Sequence, residues 1–150
     1  FSRKLAEKTG LRLFHMDALF WKPGWTETPE AEYTEGQEKI LANNDSWIIE
    51  GWINEALAER VRRADLVIYL DYPGWLAASR YVLRAIMHGK VARPELPPDC
   101  VDTFKLHRFL IILSRGERPE LEDALRHVPD PGRIVRFASP KEAERYLARF

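Results

Sequence analysis

Arg80 and Arg84 stand four residues apart, a spacing that puts both guanidiniums on one face of a helix. Two like charges so placed repel unless an anion lies between them, and the guanidinium fork matches the oxygens of a phosphate. Arg93, Arg115 and Arg118 flank a Pro-rich stretch close by. That density reads either as a polyphosphate clamp or as a solvated basic surface. Asp17 and Asp71 each follow a short apolar run. A carboxylate just beyond a buried strand can hold Mg²⁺ through water or accept a proton from a hydroxyl. It can equally cap the helix that follows, and Tyr72-Pro73 after Asp71 favours capping there. His15 is a candidate for substrate binding or for a structural hydrogen bond. No two histidines stand at helical spacing, which argues against a dedicated transition-metal site. Trp21 and Trp25 bracket Pro23-Gly24 and can either wall a ring-shaped substrate or pack as core aromatics.

The elements that must position these groups follow from periodicity and punctuation. Residues 2–9 read as a helix with Leu5 inward and Gly10 as its C-terminal stop. Residues 11–14 predict a strand ending at His15-Met16-Asp17. Thr28 is expected to cap a helix that has Pro29 in its first turn and runs to about Asn43, with Tyr33, Ile40 and Leu41 inward. A second strand at 47–49 closes on Glu50-Gly51, and Asn54 is expected to cap a helix through Leu57 and Val61. Residues 66–70 form an apolar run of the kind buried on both faces, ending at Asp71. A helix from Pro73 carries an apolar stripe of Leu76, Leu83 and Met87. Further helices are expected near Thr103 and from Pro119, then a strand at 133–137. Ser139-Pro140-Lys141-Glu142 is a capping box with proline at the first helical position. Alternating strands and helices predict an α/β fold with a parallel sheet covered on both faces. Functional groups in such sheets sit just past the carboxyl ends of strands. There stand His15 and Asp17, Glu50 and Gly51, Asp71 and Ser139, together outlining a cleft.

At the scale of the chain, 150 residues with 45% apolar side chains suffice for one domain with a real core. Twenty-three basic and 23 acidic residues balance, which argues against a globally basic nucleic-acid binder. The balance is local rather than uniform: residues 26–50 hold seven acidic side chains against Lys39, and residues 79–118 hold eight basic against four acidic. A single cysteine, Cys100, excludes an internal disulfide framework and fits a reducing cytoplasm. No apolar run approaches the roughly 20 residues of a membrane span, so a membrane partner is not expected.

Several motifs occur here in a particular order: His15-x-Asp17 with Leu19-Phe20-Trp21, then Pro23-Gly24-Trp25, then Trp47-Ile48-Ile49-Glu50-Gly51. Leu70-Asp71-x-Pro73, the Arg80-x-x-x-Arg84 pair and Ser139-x-x-Glu142 follow. Over nearly its whole length the chain thus resembles the adenylate-kinase-like P-loop proteins of the DNA topology modulation family. The resemblance implies a single three-layer P-loop kinase-like domain over 1–150 with sheet order 2-3-1-4-5 and a lid-like insertion near 88–118. It implies ATP and Mg²⁺ as cofactors. Arg80, Arg84 and Arg93 would contact phosphates, the base of ATP would lie near Ser139-Pro140, and Asp17 would face the acceptor and Mg²⁺. Asp71 would end the Walker-B-like strand, as a further metal contact. His15, Trp21, Trp25, Glu50 and Gly51 would line the acceptor site. Two departures stand out. Where the family often has Asp-Gly-Asn, this chain has Glu50-Gly51-Trp52, and no G-x-x-x-x-G-K-[ST] phosphate loop occurs in these residues. Phe1 to Leu5 reads like the helix that follows such a loop, so the expectation is that the chain is N-terminally incomplete, short of the loop and the first strand.

The function expected from these residues is ATP-dependent phosphoryl transfer to a small molecule such as a nucleoside or nucleotide. The alternatives are a nucleotide-binding regulator without efficient catalysis and a DNA-associated topology modulator; the zero net charge weighs against the latter.

Overall fold

A computed structural model of the protein describes residues 1–51 and 56–150. The chain is mixed α/β, and its contacts divide it into two compact units. The first holds residues 1–51, 84–103 and 150, and the second residues 56–83 and 104–149. The expected insertion at 88–118 is therefore shared between the units.

In the first unit, α1 (Ser2–Thr9) buries Leu5 and ends at Gly10, whose φ of 72° supplies the left-handed turn that lets its N–H donate to Ala6. Strand β1 (Leu13–His15) leads directly into the short helix α2 (Met16–Phe20), a stretch without a helical expectation in the sequence. An antiparallel ribbon follows, β2 (Trp21–Lys22) paired with β3 (Thr26–Glu27). Gly24 and Trp25 turn it, both at positive φ (73° and 57°). A bulky L-residue held there costs about 1–2 kcal/mol.

Helix α3 (Glu30–Ala42) buries Tyr33, Gln37 and Leu41, one face at four-residue spacing. Thr28 does not cap it. Its hydroxyl donates to the Leu19 carbonyl at 2.9 Å, and its N–H donates to Phe20 at 2.8 Å. Two carbonyls left over at the end of α2 thus claim both polar groups of a buried threonine. Gly36 faces Leu19 so closely that a Cβ would lie 2.7 Å from its methyl. Strand β4 (Ile48–Glu50) pairs in parallel with β1, Leu13 opposite Ile48 and His15 opposite Glu50. The two strand ends that carry chemistry are therefore neighbours in register.

The second unit has its core where α4 (Leu57–Arg63) meets the later helix α7 (Arg118–Leu125). Leu57, Val61, Ala124, Leu125 and Val128 are buried there against Val67, Tyr69, Leu121 and Ile134. The expected Asn54 cap lies outside the described residues. Strand β5 (Val67–Leu70) is half-exposed rather than buried on both faces, Leu66 at 42% and Leu70 at 37%. Among the described residues it pairs with one strand only.

Helix α5 (Gly74–His88) turns Gly74, Ala78 and Tyr81 inward. The expected apolar stripe is mostly outside, Leu83 54% and Met87 64% exposed. Gly74 has no Cβ and lies hard against the Leu113 carbonyl, so the small-residue face is the one that packs. Tyr81 accepts a hydrogen bond from the Lys105 N–H at 2.9 Å, which ties α5 to the start of α6 (Leu106–Ser114). Then come α7 (Arg118–Leu125), β6 (Ile134–Phe137) and α8 (Pro140–Leu147). β6 pairs in parallel with β5 over four residues, Val67 opposite Ile134 through Leu70 opposite Phe137. The Ser139 cap forms, its Oγ accepting from the Glu142 N–H, while Glu142 reaches one residue beyond the box expected, to the Ala138 N–H at 2.9 Å. No described helix is long and apolar enough to cross a membrane.

Candidate functional site

Asp17 sits in the first turn of α2, two residues past the end of β1. Its Oδ2 is 3.2 Å from Arg93 Nη2. The same guanidinium donates through Nη1 to Glu95 at 3.1 Å and through Nε to Asp102 at 3.0 Å. All three edges of Arg93 are thus committed, one carboxylate to each. Arg3 adds a second cation on Glu95 at 2.5 Å. Burial alone would lower the pKa of Arg93; the charges of Asp102, Asp17 and Glu95 outweigh it and push it above the ordinary value. Burial likewise acts to raise Glu95, but its own backbone N–H and the Arg3 and Arg93 charges bring it below the usual carboxylate value.

The segment that carries Arg93 is anchored to the β2–β3 ribbon. The Gly24 N–H donates to Asp99 at 2.6 Å, and the buried Cys100 thiol donates to the Lys22 carbonyl at 3.5 Å. Beside it, His15 Nδ1 and Glu50 Oε1 form a short hydrogen-bond contact across the β1–β4 register. Gly51, at φ 127°, is packed so that a Cβ would meet Met16 Cβ at 3.0 Å and Met16 N at 3.3 Å. Gly51 therefore serves the close approach of β4 to the start of α2. Trp21 and Trp25 stand edge to face with centroids 5.1 Å apart, and Phe20 links Trp21 to the buried Tyr33. The two indoles are half-buried, the end of an aromatic ladder.

In the second unit, Asp71 follows the last residue of β5. Oδ1 accepts from Arg115 in a short contact, and Oδ2 accepts from Arg118 at 3.2 Å. Arg136, on the neighbouring strand β6, has Nη1 3.9 Å from the same Oδ2. Glu122 holds Arg136 in a fork at 2.8 and 2.5 Å and touches Arg118 at 3.3 Å. The Arg136 hydrogen bond leads the forces that bring Glu122 down to about 2. Arg80 lies over the Tyr72 ring at 4.9 Å, and both Arg80 and Arg84 are exposed on α5. Ser139 spends its hydroxyl on the α8 cap, and Pro140 occupies the first helical position.

Each unit thus brings together part of the expected set: Asp17 with Arg93 in the first, Asp71 with Arg115 and Arg118 in the second. Arg3, Glu95, Asp102, Glu122 and Arg136 complete these clusters and carry no motif of their own. The one signal for them was the crowding of charge around the Pro-rich stretch. Among the described residues no group of three or more His, Cys, Asp or Glu side chains could hold a metal by itself. Comparison of the chain with protein-family models, with curated proteins and with solved structures gives no match.

Proposed function

We propose that the protein is a nucleotide-binding, kinase-like protein that transfers the γ-phosphoryl group of ATP to a small acceptor of the nucleoside or nucleotide class. The observation that carries this reading is a carboxylate paired with arginine just past a parallel strand: Asp17 with Arg93 after β1, Asp71 with Arg115 and Arg118 after β5. That is where ligands of parallel α/β sheets bind, and guanidinium clusters suit phosphate groups. The parallel pairs β1–β4 and β5–β6 fit the 2-3 and 4-5 pairings that a P-loop sheet of order 2-3-1-4-5 requires.

In this reading Arg80 and Arg84 hold the transferred phosphate and neutralise the charge that develops on it, while positioning supplies most of the rate. Asp17, with one oxygen on Arg93, orients the acceptor hydroxyl and fits the single-carboxylate contact that a phosphate-borne Mg²⁺ takes from a protein. Mg²⁺, when bound, screens the phosphate charges. Asp71 does not fit that role, because guanidiniums occupy both of its oxygens. His15 and Glu50 steady one wall of the acceptor site and the Trp21–Trp25 edge another. Ser139-Pro140 offers backbone alone to the base. Cys100, lone and fully buried, suits a reducing compartment such as the cytoplasm.

Assayed as the full gene product with Mg·ATP and a panel of nucleosides and nucleotides, the protein transfers phosphate to at least one acceptor. Arg84→Ala lowers turnover at least tenfold, and Asp17→Asn lowers it comparably. Unchanged kinetics for both would remove these residues from the mechanism. A second reading, a nucleotide-binding regulator without efficient chemistry, draws on the carboxylates that already engage Arg93, Arg115 and Arg118. ATP binding with no turnover on any acceptor would favour it.

A further inference from the structure

The arginines beyond β5 are already filled, and by a group of the protein itself. Asp71 presents one oxygen to Arg115 and the other to Arg118, the two-oxygen engagement that a phosphate monoester would make with the same forks. Arg136 backs the pair, fixed by its fork to Glu122 and by the Tyr69 ring 5.0 Å below its guanidinium. Three guanidiniums face two carboxylates, Asp71 and Glu122, which leaves one positive charge in surplus. The arginine side chains keep 30–42% exposure, whereas Asp71 keeps 15%. Donors are therefore open to solute while their present acceptor is tucked beneath them. A phosphate group carries nearly twice the charge of a carboxylate and one more acceptor oxygen, so it satisfies three guanidiniums better than Asp71 can.

We propose that Asp71 is a built-in competitor: it occupies the Arg115–Arg118 clamp in the free protein and is displaced from it by the phosphate group of an incoming ligand. The inference rests on the reading above in one respect, that phosphate groups are the ligand class. Its consequence is a threshold. Every ligand must break the Asp71 pairs before it gains the arginines, so weakly charged anions are refused and polyphosphates admitted.

Inorganic pyrophosphate titrated calorimetrically at low ionic strength provides the test. Asp71→Asn, which keeps the shape and loses the charge, binds at least tenfold more tightly than the native protein. Adding Arg115→Ala and Arg118→Ala to that variant abolishes the gain. Equal or weaker binding by a folded Asp71→Asn overturns the proposal. In the native protein the Asp71 carboxyl carbon resonance shifts as pyrophosphate saturates, and a resonance unmoved at saturation overturns the proposal without any variant. Phosphoryl-transfer assays separate this outcome from the kinase reading. A tenfold gain in a protein that phosphorylates no acceptor leaves the competitor standing and removes the kinase. Transfer by a protein whose Asp71→Asn variant gains nothing does the reverse.

Discussion

Arg93 holds Asp17, Glu95 and Asp102 with one guanidinium that is only 16% exposed. Removing it strands Asp17 and Asp102 and leaves Glu95 to Arg3 alone, and breaking a buried pair from one side costs more than the pair contributes. Arg93→Ala should lower unfolding stability by about 2–4 kcal/mol, discounted slightly from fully buried pairs because Asp17 is partly wet. Arg93→Lys keeps the charge but reaches one or two of the three acids, so it should recover only part of that loss. Urea unfolding of both variants checks this, and a stable Arg93→Ala would show that the cluster is not structural. The sequence marks Arg93 as an anion-binding candidate because of its basic surroundings. It could not show the answering acids, since 76 residues separate Arg93 from Asp17 and a pairing at that range depends on topology. Asp71 is a parallel case: its place after an apolar run is plain in the sequence, but the arginine from β6 arrives only through strand pairing.

Helix by helix, what was legible is what local rules govern. Gly10 ends α1, Ser139 caps α8, and Leu57 with Val61 faces the core, each from a signal within a few residues. Helix α5 shows where such rules stop. Its large apolar residues form the tidier stripe, yet Gly74, Ala78 and Tyr81 face inward, and at Gly74 the Leu113 carbonyl comes too close for any side chain. Helix α6 buries none of its residues. Leu106, Leu110 and Leu113 lie on one face at 61%, 53% and 41% exposure. Lysine at both 106 and 110 should therefore change unfolding free energy by less than about 1 kcal/mol, as surface substitutions do. Leu125→Ala in the core of the second unit should cost about 2–4 kcal/mol. Chemical denaturation of the two variants side by side distinguishes a solvent-facing α6 from a packed one.

For the molecule as a whole, the expected alternation of strands and helices holds, and it is realised as parallel pairs in each of two units. Strand existence was readable from apolar runs, whereas the extent of pairing was not, because β1 meets β4 and β5 meets β6 across long stretches of chain. Charge patterning at this scale sets the response to acid. Glu122 is at about 2 when folded against an ordinary 4.5, so its ion pairs stabilise the fold fully above about pH 4.5. That contribution fades as pH falls toward 2. Glu122→Gln should lower stability at neutral pH by no more than about 1 kcal/mol, the usual worth of a solvent-facing pair, and its difference from the native protein should shrink to nothing as pH falls from 4.5 toward 2. Thermal unfolding followed from pH 2 to 7 reads it.

The paired indoles of the β2–β3 ribbon have an optical consequence. Two identical chromophores 5.1 Å apart with planes inclined at 79° share their excited states, and in a chiral setting such coupling splits the far-ultraviolet band into lobes of opposite sign. That signature depends on both rings and on the angle between them, so either single Trp→Phe change extinguishes it. It offers a label-free gauge of order in the ribbon, and thereby in the segment carrying Arg93, which Gly24 and Lys22 pin to the same two strands.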